Sequence, residues 1–214
     1  MPKPICRGLY AITDAVLLPD DPRLIVAVER AILGGARLIQ YRDKSTDAAR
    51  RLAQARALNA LCQRYEIPFI VNDDVELAVA VGAAGVHIGR DDPDLATARA
   101  RLGETALIGV SCYDRLDLAL AAERAGADHV AFGAFFPSPT KPTEIRASLD
   151  LLKKARAALR IPIVAIGGIT PDNAPLLLEA GADALAVVSG VFGQPDIQAA
   201  ARRYAALLAG GIPS

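Results

Sequence analysis

An excess of charge of either sign is missing from this chain: its 24 Lys and Arg are matched by 24 Asp and Glu, for a formal net charge of zero. General nucleic-acid binding usually needs a basic face, so the balance argues against it. Long apolar runs are missing too. The longest stretch free of Asp, Glu, Lys and Arg is 13 residues, Leu77 to Gly89, whereas a membrane span needs about 20 predominantly apolar residues. Cysteine is scarce. Cys6, Cys62 and Cys112 are odd in number and at least 50 residues apart. They form no Cys-x-x-Cys pair and have no nearby histidine cluster, so neither a zinc site nor a disulfide scaffold is indicated. No apolar signal core of roughly 7–15 residues precedes Gly8. A reducing cytoplasm is the expected location.

What the chain does contain is a globular composition, 52% hydrophobic and 22% charged over 214 residues. That length suits a one-domain α/β barrel. It also carries an internal rhythm. Gly35-Ala36, Gly82-Ala83, Gly126-Ala127 and Gly181-Ala182 each follow a stretch of helical period and precede a β-rich run. A glycine just past a helix end adopts a left-handed conformation without steric cost. The spacings between these glycines are 47, 44 and 55 residues. A helix, a strand and two loops take about 20–30 residues, so each interval holds two βα units, and four pairs make eight.

Short β-branched strands are expected near Gly8–Thr13, Arg37–Tyr41, Pro68–Asn72, Gly85–Ile88, Ala106–Ser111, His129–Gly133, Pro162–Ile166 and Ala184–Val188. Amphipathic helices are expected over Asp47–Tyr65, Arg115–Ala125, Ser148–Leu159 and Pro195–Leu208, with Ser148 as an N-cap and Pro195 in a first turn. The pattern predicts a single-domain (β/α)8 TIM barrel over residues 1–214, with a doubly wound open sheet as the alternative. Two longer loops, Asp14–Pro22 and Phe135–Ala147, stand out. The second contains three prolines with Lys141 and Arg146, and reads as an active-site lid.

Barrel enzymes work at the carboxyl ends of their strands. Here those ends carry Gln40-Tyr41-Arg42-Asp43-Lys44, Asn72-Asp73-Asp74, Gly89-Arg90-Asp91-Asp92, Ser111, Pro137-Ser138-Pro139-Thr140-Lys141, Gly167-Gly168 and Ser189-Gly190. Glycines after strands 7 and 8 let backbone N–H groups converge on a phosphate. A tight turn alone needs only one glycine. Arg42, Lys44 and Lys141 bring cations to the same mouth, and Asp73 and Asp92 bring carboxylates. Carboxylates beside a phosphate repel it unless Mg²⁺ bridges them, and Mg²⁺ is typically held by one or two carboxylates plus substrate phosphates. The set therefore reads as a polyphosphate site, most simply for a diphosphate.

Other groups read as less reactive. His87, in an apolar strand, reads as packed core rather than as a base. His129, at the start of strand 6, belongs to the face where stability is expected. Lys44 and Lys141 sit on polar loops that do not desolvate an amine for Schiff-base chemistry. Cys112 has no positioned base.

Taken together, these motifs resemble the thiamine-phosphate synthase family. The likeness runs from Gly8-Leu9-Tyr10-Ala11-Ile12-Thr13-Asp14 to Ala186-Val187-Val188-Ser189-Gly190. It includes Val86-His87-Ile88-Gly89, Gly109-Val110-Ser111, Phe136 to Lys141 and Ala165-Ile166-Gly167-Gly168-Ile169. The resemblance implies a (β/α)8 transferase that joins a hydroxymethylpyrimidine diphosphate to a thiazole phosphate, releasing diphosphate and leaving thiamine monophosphate. By motif, Gln40, Tyr41, Arg42, Asp43, Lys44, Asn72, Ser111 and Lys141 would hold the pyrimidine diphosphate. Arg42, Lys44, Ser111 and Lys141 would be the catalytic set. Asp73 and Asp92 would hold one Mg²⁺ per subunit. Ser138, Pro139, Thr140, Gly168, Val188 and Ser189 would hold the thiazole phosphate. The implied partners are these small molecules, with no nucleic acid and no membrane, and self-association into a homo-oligomer is left open.

The family often has Gln, His and Thr where this chain has Arg90, Tyr113 and Ser138. A sister group, the thiazole tautomerases, lacks parts of the diphosphate site that this chain keeps. A tautomerase-like or non-catalytic barrel that binds a phosphorylated metabolite is the alternative, and the Asp73/Asp92 pair, which simple phosphate binding does not require, stands against the latter.

Overall fold

The short apolar runs pair side by side in sequence order. The computed structural model describes residues 6–137 and 146–209. Its strands are β1 (Gly8–Ile12), β2 (Ala36–Tyr41), β3 (Phe69–Asn72), β4 (Gly85–Ile88), β5 (Leu107–Tyr113), β6 (His129–Phe132), β7 (Ile163–Ile166) and β8 (Ala184–Val187). All eight pairings are parallel, and β8 returns to pair with β1, so the sheet closes into a barrel. A doubly wound sheet would leave two edge strands, and closure rules that alternative out.

Between the strands run α1 (Asp21–Leu33), α2 (Ala48–Arg64), α3 (Val75–Val81), α4 (Leu95–Leu102), α5 (Leu116–Arg124), α6 (Leu149–Ala158), α7 (Ala174–Glu179), α8 (Ser189–Phe192) and α9 (Ile197–Ala209). Aspartates start many of them. Asp20, Asp47, Asp74 and Asp94 each accept a hydrogen bond from a backbone N–H three residues on, and Ser148 does the same for α6. These caps satisfy first-turn donors that have no partner inside the helix. Two sequence expectations shift here. Pro22 lies inside the first turn of α1, so the loop after β1 ends at Asp20. Pro195 precedes α9, whose start is set by Asp196, the acceptor for Ala199 N at 2.9 Å.

The four Gly-Ala steps sit at the expected helix-to-strand turns, and Gly35, Gly82, Gly126 and Gly181 all have positive φ. In two of them the next residue is an aspartate with a structural task. Asp128 accepts from Ile108 N at 2.8 Å and from Arg99 at 2.6 Å. Asp183 accepts from Ile163 N at 2.9 Å and from Arg156 at 2.7 Å. Each carboxylate thus ties a strand to its neighbour at the amino end of the barrel.

Strand alternation divides the core in two. Leu9, Ala11, Ile39, Tyr41, Phe69, Val71, Ile108, Val130 and Phe132 pack outward with the helices. Tyr10, Ile12, Leu38, Ile70, Leu107, Ala131, Val164, Ala184 and Ala186 fill the interior. His129 lies with the inner set and is fully buried, edge-on to Tyr10 at 6.0 Å and facing His87 at 5.5 Å. Burial, and then His87 beside it, push the His129 imidazole down to about 3.

This makes the barrel acid-sensitive. An unfolded histidine titrates near 6.5. As the pH falls from about 6.5 towards about 3, the unfolded chain takes up a proton at His129 that the folded chain refuses. Stability then drops by about 1.4 kcal/mol per pH unit from this group, and none is lost above the upper limit. Urea unfolding at pH 7 and pH 5 should give a smaller pH difference in His129→Phe than in the wild type. Equal differences would show that His129 is not kept neutral by the fold.

Candidate active site

A cavity of about 770 Å³ opens where the strands end. Its walls are the inward-facing residues of the last strand turns: Ile12, Gln40, Asn72, His87, Ser111, Ala131, Ile166 and Val188 among them. On the arc from β2 to β5 the wall is polar. Gln40 is buried and donates to the Tyr10 hydroxyl at 2.8 Å. Arg42 is held from two sides. Its backbone N–H donates to Thr13 Oγ1 at 3.0 Å, and its guanidinium reaches Asp14 at 3.3 Å. Asp14 is in turn fixed by the N–H groups of Val16 and Leu17, so the loop after β1 buttresses this arginine. Ser111 is hydrogen-bonded to His87 Nε2 at 2.9 Å.

Next to Asn72 lies a charged cluster. Asp74 caps α3 and pairs with Arg51, which leaves Asp73 for the mouth. Asp73 has φ of +63°, a left-handed conformation that aspartate tolerates better than most residues. Lys44 forms an ion pair with it. Asp92 accepts from Gly89 N at 2.6 Å. Burial, with Asp73 close beside it, pushes the Asp92 carboxyl above the usual range. A carboxyl whose proton affinity is raised by burial and by a neighbouring carboxylate is an electrostatic setting that a divalent cation relieves. No group of three or more metal-ligating side chains occurs among the described residues. A hard cation such as Mg²⁺ takes only one or two carboxylates and completes its shell with water and phosphate. The donor set therefore fits the ion.

The opposite arc is built from backbone. Gly167, Gly168, Ile169, Val188, Ser189 and Gly190 line the cavity. Asn173 donates to Gly168 O at 3.1 Å, and the buried Tyr204 hydroxyl donates to Ile169 O at 2.9 Å, so the turn after β7 is held from α7 and α9. The first N–H groups of α8 have no acceptor earlier in their own helix and lie in this wall. Gly168 has φ of +61°, and a Cβ there would collide with the carbonyl oxygens of Phe136 and Pro137.

Of the residues expected at the site, Gln40, Arg42, Asn72, Ser111, Gly168, Val188 and Ser189 border the cavity. Lys44, Asp73 and Asp92 cluster beside it. The side chains of Tyr41 and Asp43 point away from this group. Tyr41 packs with the helical layer and donates to Gln54 at 2.7 Å, and Asp43 pairs with Arg50 at 2.8 Å. Strand parity explains this: in a five-residue motif whose first and third side chains face in, the second and fourth face out. Ser138, Pro139, Thr140 and Lys141 lie outside the described residues. His87 is buried as expected but also borders the cavity, which the apolar run concealed. Tyr10 and Tyr113 line the cavity too, and Asp14 holds Arg42. The same period-two count marks Tyr10 and His87 as inward. Cys112 is fully buried, its thiol pushed up to about 12 by burial, and takes no part.

A closed parallel barrel with its polar side chains gathered around one cavity at the strand ends belongs to the class of (β/α)8-barrel enzymes. A family model described as thiamine monophosphate synthase matches residues 9–191. The thiamine-phosphate synthase of Thioalkalivibrio sulfidiphilus is 59% identical over 94% of this chain and 95% of its own length. That of Nitrosococcus oceani is 56% identical over 92% of this chain and 91% of its own. A solved thiamine phosphate pyrophosphorylase from Pyrococcus furiosus superposes with a TM-score of 0.84 at 35% identity, covering 94% of this chain and 95% of that one. The chain belongs to the thiamine-phosphate synthase family, and is thereby a transferase of thiamine biosynthesis. None of the helices among the described residues is long and apolar enough to cross a membrane.

The Gly168 geometry gives a direct test. Gly168→Ala should destabilise the fold by at least about 1 kcal/mol, from the left-handed backbone alone. Displacement of the loop that starts at Phe136 adds to this. A urea midpoint equal to the wild type would mean that the turn after β7 relaxes freely.

Proposed function

We propose that this chain joins a hydroxymethylpyrimidine diphosphate to a thiazole phosphate, releases diphosphate and leaves thiamine monophosphate. The observation that carries the assignment of roles is the division of one cavity into two unlike arcs. The arc from β2 to β5 offers Gln40, Arg42, Asn72 and Ser111, with Lys44, Asp73 and Asp92 beside it. This arc suits a polar heterocycle carrying a diphosphate. The arc of Gly168, Val188 and Ser189 offers backbone N–H groups and little else, which suits a phosphate monoester. The two anions then lie across the barrel, with the reacting carbon and nitrogen between them.

In this reading the bond between the pyrimidine methylene and the diphosphate oxygen breaks, its electron pair leaves with diphosphate, and the thiazole nitrogen supplies the pair for the new C–N bond. Negative charge grows on the departing oxygens. Arg42, oriented by Thr13 and Asp14, and Lys44 are assigned to meet it. Lys141 is assigned the same role from the loop after β6. Mg²⁺, when held by Asp73 and Asp92, supplies further positive charge to those oxygens. Lys44, ion-paired with Asp73, stands beside the residues that would hold the ion. No general base is required, and the buried His87, pushed down to about 4, is not protonated at neutral pH.

The experiment mixes the purified chain with both substrates and Mg²⁺ and follows diphosphate release. EDTA should abolish release and Mg²⁺ should restore it. Asp92→Asn should keep the fold and lose most of the activity, and full turnover at ordinary Mg²⁺ would remove the metal assignment. Lys141→Ala should lower kcat by about two to three powers of ten, with a smaller rise in KM for the pyrimidine diphosphate. Lys141→Arg should recover only part of the loss. Single-turnover bond formation is the appropriate readout, because it excludes slow product release. Chemistry at the wild-type rate in Lys141→Ala would make that lysine a bystander.

A further inference from the structure

The loop between β4 and α4 is fastened to the end of β5 by two residues that the reaction assigned above does not use. Arg90 follows Gly89 and is exposed, and Tyr113 closes β5. Arg90 touches the tyrosine twice. Its backbone N–H donates to the Tyr113 hydroxyl oxygen at 3.3 Å, and its guanidinium carbon lies 4.9 Å from the centre of the Tyr113 ring. A guanidinium over an aromatic ring is attracted by the negative face of that ring. One contact places the ring and the other its hydroxyl.

The backbone beneath Tyr113 is unusual. In β5, Ser111 pairs with Ala131 and Tyr113 with Phe132, so Cys112 is an extra residue and the strand bulges there. Tyr113 has φ of +55°, which is rare for an aromatic residue, and its carbonyl accepts from Gly133 N at 3.0 Å. Bulges of this kind re-aim side chains. Here the half-buried tyrosine lines the cavity.

Gly89 shows what the hydroxyl stands beside. A Cβ on that glycine would lie 3.3 Å from Asp92 Oδ2 and 3.5 Å from the Tyr113 hydroxyl oxygen, so the carboxylate and the phenol flank one point at the mouth. The hydroxyl oxygen accepts from Arg90, and among the described residues nothing accepts its proton. A phenol has one proton to donate, and its bond to a charged acceptor is among the stronger hydrogen bonds. Its place next to Asp92, across the cavity from Gly168 and Ser189, assigns that acceptor to the diphosphate side.

We propose that the Tyr113 hydroxyl is a further leaving-group contact, donating a hydrogen bond to an oxygen of the diphosphate, and that Arg90 is a positioning residue which orients it. This rests on the reading that the arc from β2 to β5 takes the diphosphate.

The probe is inorganic diphosphate with Mg²⁺, and the readout is calorimetric binding to the full chain, so no turnover is involved. Tyr113→Phe keeps the ring and its stacking and removes the hydroxyl. At saturating Mg²⁺ it should weaken diphosphate binding by about five- to tenfold, the weight of one hydrogen bond, and leave the affinity for the thiazole phosphate within about twofold. A loss that disappears as Mg²⁺ is raised would mean that Tyr113 only steadies the loop carrying Asp92. Unchanged affinity would mean that it makes no contact. Either result overturns the proposal while the assigned reaction stands. Arg90→Gln keeps the backbone N–H and removes the guanidinium. It should weaken diphosphate binding by about two- to fivefold in the wild type and add nothing in Tyr113→Phe, where no hydroxyl remains to be oriented. An equal loss in both backgrounds would show that the guanidinium meets the anion itself, and the positioning role would fall. If the wild type binds no diphosphate with Mg²⁺, the reading of the arc falls and takes the proposal with it.

Discussion

In a closed parallel barrel every strand residue has two destinations, the interior or the helical layer, and neighbours along the strand must take opposite ones. Closure of β8 onto β1 imposes this on all eight strands at once. The site inherits it. Gln40, Asn72, His87, Ser111 and Val188 reach the cavity because each continues the inward register of its strand. Tyr41, one residue on from Gln40, is carried out to the helices by the same rule and helps to secure α2 through Gln54. One constraint thus supplies both the reactive face and the scaffold that supports it.

The charges at the mouth follow a second constraint, that cations need partners before a substrate arrives. Arg42 leans on Asp14, and Lys44 on Asp73. The two pairs differ in kind. Asp14 is buried and itself anchored by backbone N–H groups, so Arg42 is paired with a fixed partner. Lys44 and Asp73 are more exposed, and screening by solvent makes such a pair easy to exchange. A firmly anchored cation and a more exposed one thus stand on the same arc.

Much of this was legible in the chain. The Gly-Ala rhythm located the helix-to-strand turns because only glycine enters the left-handed region at no cost, and the strands fell within a residue or two of their expected limits. Ser148 was readable as a cap for the same local reason. Pro195 misled, because its ring suits a first helical turn, while the acceptor that starts α9 is the next residue, Asp196. In Gln40 to Lys44, a motif read as a string hides strand parity, which turns the side chains of Tyr41 and Asp43 towards the helices. His87 looked like packing because its neighbours along the chain are apolar, and nothing local reveals that Ser111 and His129 stand across from it. Contacts across the barrel join residues far apart in sequence, and composition carries no trace of them.

The tie between Tyr204 and Ile169 bears on the order in which the barrel is completed. The turn after β7 is steadied from α9, 35 residues further along, and β1 cannot complete its pairing until β8 is in place. A folding barrel without β8 and α9 therefore has an open seam and an unsteadied turn after β7. The long loop that must close makes this seam an entropically costly, late contact. The wall of the cavity around that turn is thus secured only by the segments that close the barrel.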